Sequence, residues 1–117
     1  MHELSICLAL LDQVQDIARD HGATSVDRIR LHIGPLSGVE ATLIQQAYPL
    51  VAAGTLAEHA ELIIDAIPVR VYCNQCGDET EVKPNRLLCG RCGGHHIRIV
   101  SGTEMLLAHL EMTRPDD

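Results

Sequence analysis

The sequence predicts an α+β fold with a metal-stapled insertion, and three observations carry that reading. An amphipathic periodicity runs through the first twenty residues, strand-like alternation recurs further on, and four cysteines stand in two CxxC pairs late in the chain. The cysteine spacing is the most specific of these. Cys73 and Cys76 precede Cys89 and Cys92 with twelve residues between the pairs, the pattern of a structural zinc site. Each pair stands before a glycine, as CNQCG and CGRCG, so each suits a knuckle whose backbone N–H groups point at sulfur. Four thiolates close a tetrahedral shell and leave no place for water or substrate, so such a site folds a module rather than catalysing a reaction.

The elements follow in order. From Leu4 to Asp20 the apolar residues Leu4, Cys7, Leu8, Leu11, Val14 and Ala18 recur three or four apart, with Asp12, Gln13, Asp16 and Arg19 on the other side. Gly22 supplies the stop. Cys7 lies on the apolar stripe and reads as a buried, inert thiol. Arg28 to Ile33 alternates polar and apolar, the pattern of a strand with one buried face. Gly34, Pro35, Ser37 and Gly38 break it. A second helix is expected from about Val39 to Ala53, ended by Gly54 and kinked or shortened by Pro49.

Leu62 to Ile67 is β-rich and reads as a central strand; Pro68 punctuates it before Val69–Tyr72 leads into the first knuckle. A short hairpin is expected between the knuckles, and Ile97–Val100 leaves the second as another strand. Thr103–Met112 has helix-forming residues but is short and follows a Ser101–Gly102 turn, so it reads as a strand. Its return to the main sheet makes the zinc ribbon an insertion rather than a tail.

Composition narrows the function classes. With 46% hydrophobic residues in 117 but only Tyr48 and Tyr72 as aromatics, the core is aliphatic and modest, and metal binding adds folding free energy to a loop-rich segment. A formal charge of −7 offers a polyanion nothing, which argues against nucleic acid. Between Cys73 and Val100, Lys83, Arg86, Arg91 and Arg98 face Asp78, Glu79 and Glu81, so the acidity lies outside that module. The opening MHELSICLALLDQV lacks a basic leader region, and no run of about 20 apolar residues spans a bilayer. Free cysteines fit a reducing compartment; the expected location is cytoplasmic, without membrane contact.

Met1, His2 and Glu3 form the second informative feature. Methionine before histidine is expected to be retained, which sets three nitrogens in sequence: the Met1 amine, the His2 amide and the His2 imidazole. A metal able to displace the amide proton is chelated by all three in one plane, with the fourth position taken by Glu3 or a more distant side chain. Such coordination suits Ni(II) or Cu(II). For an arbitrary protein, however, His2 is simply a solvated residue and Glu3 an acid in a first helical turn.

MHELS at the start, the acidic first helix, the segment IRLHIGPLSGVE and the paired CxxC module together resemble the HypA/HybF family of nickel metallochaperones over essentially the whole chain. The resemblance implies two helices packed on a mixed three-stranded sheet with an inserted zinc-ribbon module. The nickel domain is expected at 1–68 plus 103–117 and the zinc ribbon at 69–102. It places nickel on Met1, His2 and Glu3, with His2 indispensable, and structural zinc on Cys73, Cys76, Cys89 and Cys92. An assisting acid falls on Glu40, where aspartate is the family's usual residue; an ordinary helix-start acid is an equal reading there.

The implied role is to hold Ni(II) transiently and pass it, with a HypB-type GTPase, to the [NiFe]-hydrogenase large-subunit precursor; urease maturation proteins are further partners in some relatives. The chain is expected to be a monomer or weak homodimer and not an enzyme. Terminal ligands that compete with protons near neutrality allow both capture and release.

Other classes stay in view. A zinc-ribbon nucleic-acid or general protein-interaction module is the alternative, although aromatics for base stacking are missing. A zinc hydrolase needs an open metal position that four thiolates do not leave. His95 and His96, three and four residues after Cys92, read either as surface loop residues or as ligands coupling the two metals. His21, His32, His59 and His109 have no motif context and count as structural.

Overall fold

The first helix shows how the sequence pattern becomes packing. In the computed structural model, which describes residues 2–115, α1 spans His2–Asp20 and buries Glu3, Cys7, Leu10, Leu11, Val14 and Ala18. The buried stripe is rotated from the expected one: Leu10 is inside, whereas Leu8 is 52% exposed. Spacings of three and four lead from Glu3 through Cys7 to Leu10 or Leu11, Val14 and Ala18, and Leu8 falls off that line. The helix ends in a Schellman motif, with the Ala23 N–H donating to Ala18 O at 2.9 Å and the Gly22 N–H to Arg19 O at 3.0 Å. Gly22 takes φ 68° there, a conformation glycine adopts without a Cβ penalty.

The remaining elements are β1 (Ser25–Ile33), α2 (Ala41–Ala52), β2 (Glu61–Ala66), β3 (Val69–Cys73), β4 (Glu79–Val82), β5 (Ile97–Ser101) and β6 (Met105–Thr113). They form two three-stranded sheets, ordered β2-β1-β6 and β4-β3-β5. Compact units divide the chain similarly. The first takes residues up to Leu31, Glu40–Ile64 and the chain from Leu107; the second takes His32–Val39 and Asp65–Leu106.

The first sheet is mixed. The Thr24 N–H donates to Thr113 O at one end of β1 and the Gly34 N–H to Glu104 O at the other, so β6 runs antiparallel to β1. By contrast the Val26 N–H meets Leu56 O and the Ile67 N–H meets Ile33 O, an increasing register that makes β2 parallel, with α2 inside the crossover. The β1 strand is therefore central, burying Val26, Ile29, Leu31 and Ile33. This corrects the expectation for Leu62–Ile67: β2 is an edge strand with no fully buried residue, and its apolar run reflects half-burial. Thr103–Met112 is a strand as expected, observed as β6.

Pro49 does not end α2, which continues to Ala52. The helix packs on α1 through Ile44, Tyr48 and Ala52, and tertiary packing outweighs the lost hydrogen bond. The Tyr48 hydroxyl donates to Ala57 O at 2.6 Å, and burial, with a smaller contribution from Cys7, pushes its pKa up to about 12.

In the second unit β3 is central, antiparallel to both β4 and β5. The hairpin is β3–knuckle–β4, not one contained between the knuckles: after Val82 the chain runs in turns to the second CxxC pair. Gly34 and Gly102 meet backbone to backbone here. A Cβ on Gly34 would lie 2.1 Å from Gly102 O, the same oxygen that accepts the Leu36 N–H at 2.8 Å. Gly102 has φ 110°, and a Cβ on it would meet Val69 Cγ2 at 2.9 Å. The turn is fastened by the Glu104 carboxylate, which accepts the Gly102 N–H at 2.7 Å and is held below the usual carboxylate range chiefly by that bond. Gly34→Ala is expected to destabilise the fold by about 3 kcal/mol, because the obstacle is backbone and cannot rotate away; a lowered urea midpoint checks this.

Candidate metal centres

The four cysteines of the second unit converge. Their sulfurs lie within 4.8 Å of one another, and among the described residues no other group of three or more His, Cys, Asp or Glu ligands does so. Cys73 Sγ and Cys92 Sγ are 3.6 Å apart, as are Cys76 Sγ and Cys89 Sγ. Disulfide sulfurs sit at about 2.05 Å, so these are separate thiols. A tetrahedron with metal–sulfur bonds of about 2.3 Å has sulfur–sulfur edges of roughly 3.8 Å, and the observed spacing fits it.

The two knuckles are alike. The Cys76 N–H points at Cys73 Sγ at 3.4 Å, and the Arg91 and Cys92 N–H groups point at Cys89 Sγ at 3.4 Å. Gly77 and Gly93 close the turns at φ 76° and 74°, donating to Cys73 O and Cys89 O. Only glycine enters that left-handed region freely, which explains the glycine after each CxxC.

Electrostatics divide the sulfurs. The N–H groups of Cys92 and Arg91 draw the Cys89 thiol down to about 6, and the Cys76 N–H lowers Cys73. For Cys76 the Asp78 N–H acts in the same direction, yet burial and the neighbouring sulfurs outweigh it and push the thiol up to about 12. Four thiolates thus do not coexist without a counter-charge. A divalent cation supplies that charge, and soft sulfur donors in tetrahedral array suit zinc. Arg91 pairs with Asp78, and Arg70 with Glu79 at 2.9 Å, tying the strands around the knuckles.

His95 and His96 are exposed loop residues whose ring centroids are 4.4 Å apart. The His96 carbonyl accepts the Asn74 N–H at 2.9 Å, and neither ring joins the sulfur cluster.

In the first unit, His2 opens α1 and its Nε2 lies 2.9 Å from Glu3 Oε2. Glu3 is 6% exposed, the one buried charged residue among those described, and a carboxylate tolerates such burial only with polar partners. Its position is legible in hindsight, since it precedes Cys7 by one helical repeat on the buried line. Burial, and Glu3 after it, raise the Cys7 thiol, whose Sγ lies 3.7 Å from Ile44 O; it is the inert core thiol expected. Met1 lies outside the described residues. Glu40 is the exposed N-cap of α2 with an extended backbone, and its side chain makes no capping hydrogen bond. Among the described residues Glu40 does not join His2 and Glu3 in a ligand group.

A four-thiol metal module inserted into an α+β unit of two helices and a mixed three-stranded sheet defines a small metal-handling protein with a zinc-ribbon appendage. The chain belongs to the HypA family: residues 1–112 match the model described as hydrogenase/urease nickel incorporation, metallochaperone, hypA. It is 51% identical over 112 residues to the hydrogenase maturation factor HypA of Nitrosospira multiformis, covering 96% of this chain and 97% of that one. To the factor of the same name from Aquifex aeolicus it is 41% identical, with the same coverage. A solution structure of HypA protein superposes with TM-score 0.73 at 26% identity, covering 96% of each chain. The solution structure of the Ni metallochaperone HypA from Helicobacter pylori superposes with TM-score 0.71 at 24% identity, covering 96% of this chain and 97% of that one. Among the described residues no helix is long and apolar enough to cross a membrane.

Proposed function

We propose that this chain carries Ni(II) at its Met1–His2–Glu3 motif and delivers it, with a HypB-type GTPase, to the [NiFe]-hydrogenase large-subunit precursor. Residues 1–68 plus 103–117 act as the nickel domain and 69–102 as the zinc ribbon. Zinc stays on Cys73, Cys76, Cys89 and Cys92, while nickel is cargo. The chain works in the cytoplasm as a monomer or weak homodimer and is not an enzyme, since a shell of four thiolates has no open position. The family description also names urease, so urease maturation proteins are further recipients.

The observation that carries the nickel reading is the contact of His2 Nε2 with buried Glu3. A carboxylate that accepts a hydrogen bond from the Nε2–H leaves the lone pair on Nδ1, the ring nitrogen nearer the backbone. That nitrogen forms a chelate with the His2 amide and the Met1 amine. Glu3 then orients the imidazole. The His2 amide belongs to the first turn of α1, where N–H groups have no partner within the helix, so losing its proton breaks no helical hydrogen bond.

Deleting the chain is expected to leave hydrogenase large subunit without nickel in cells grown on trace metal, and added nickel salt to restore much of it. Full nickel loading in the deletion strain on trace metal contradicts the proposal.

A further inference from the structure

The second helix carries more apolar surface than its packing uses. It reads ATLIQQAYPLVA, twelve residues without a charge. One stripe, Ile44, Tyr48 and Ala52, is buried. A second stripe at helical spacing, Leu43, half-buried Ala47 and Leu50, is left partly open, with Leu43 40% and Leu50 78% exposed. Thr42, Gln45 and Gln46 form its polar face, so exposed leucines beside the buried stripe widen the apolar face beyond what α1 covers. Leu43, Ala47 and Leu50 line a groove of about 260 Å³ with Gln46 of α2 and Glu3 and Leu4 of α1. Exposed Leu8 lies one turn beyond Leu4 on α1.

Charge narrows what fits. The formal charge of −7 arises entirely in the first unit, because acidic and basic residues balance in the second. An apolar slot in a strongly acidic body selects an apolar ridge with basic flanks and repels acidic chains. The groove also shares Glu3 with the candidate nickel motif, so its occupant touches the metal-bearing end.

We propose that the Leu4–Leu43–Leu50 groove is the docking site of the GTPase partner, which inserts an amphipathic segment with an apolar stripe between Lys or Arg residues. This rests on the partner reading above. Leu50 anchors the contact as the most exposed of the leucines, and Glu3 lies at its edge.

The test measures binding of the purified GTPase to the native full-length chain and to Leu43→Glu, Leu50→Glu, Leu50→Met and Leu87→Glu variants. The last alters an exposed leucine of the second unit. Leu43→Glu and Leu50→Glu are expected to weaken binding at least ~10-fold, with the melting curve of Leu50→Glu unchanged because its side chain is 78% exposed. Leu50→Met and Leu87→Glu are expected to bind as the native chain does, and higher salt to weaken the native complex. Native affinity in both glutamate variants overturns the groove while leaving the GTPase as partner. No binding by the native chain overturns the partner reading and this inference with it. A native dimer that Leu50→Glu converts to monomer makes the occupant a second copy and also overturns the inference.

Discussion

Replacing Cys89 with serine is expected to empty the sulfur cluster and unfold the second unit. Zinc content should fall from one per chain to near zero, and the sharp amide spectrum of β3–β5 should collapse. The effect is large because this unit has little else to hold it. Its fully buried side chains include Val69, Val71 and Cys73, all on one five-residue strand. Metal ligation in small modules of this kind supplies roughly 10–16 kcal/mol of apparent folding free energy at neutral pH. Cys89 is the informative position, because the N–H groups of Arg91 and Cys92 that stabilise its thiolate lose their anionic acceptor too. Retention of zinc and fold by Cys89→Ser would mean that three sulfurs suffice.

His2→Ala is expected to cost the larger share of nickel binding, more than roughly 100-fold in affinity, with zinc content and fold unchanged. The imidazole is a direct ligand in the proposed chelate, whereas Glu3 acts on it through Nε2. Glu3→Gln should therefore weaken nickel by about 10–100-fold, the usual range for a residue that orients a ligand, and helix content should confirm that α1 persists. Nickel titration followed by absorbance, beside zinc analysis of the same samples, separates the two metals. Equal losses from both substitutions would make Glu3 a ligand in its own right.

Much of this molecule was legible from its residues, for identifiable reasons. The knuckles were readable because cysteine spacing and the following glycines are local constraints, met within five residues each. Alternation from Arg28 to Ile33 marked β1 because one face is buried along its length. The rank of Leu62–Ile67 was not legible: a run of apolar residues marks burial but not position in a sheet, and β2 lies at an edge. Local propensity at Pro49 says nothing of the packing of Tyr48 and Ala52 that carries the helix past it. The approach of Gly34 to Gly102 joins residues distant in sequence, and no local pattern announces it. At the candidate nickel site the MHE motif named the residues, but the burial of Glu3 needed the helix phase.

Titration of Ni(II) into the native chain and into a chain with one extra residue before Met1 tests the central claim most directly. The extension displaces the amine from the chelate while leaving the His2 ring, Glu3 and all four sulfurs in sequence. Loss of tight nickel binding with zinc still at one per chain is the expected result. Equal nickel affinity in the two chains would contradict a chelate built on the Met1 amine and the His2 nitrogens.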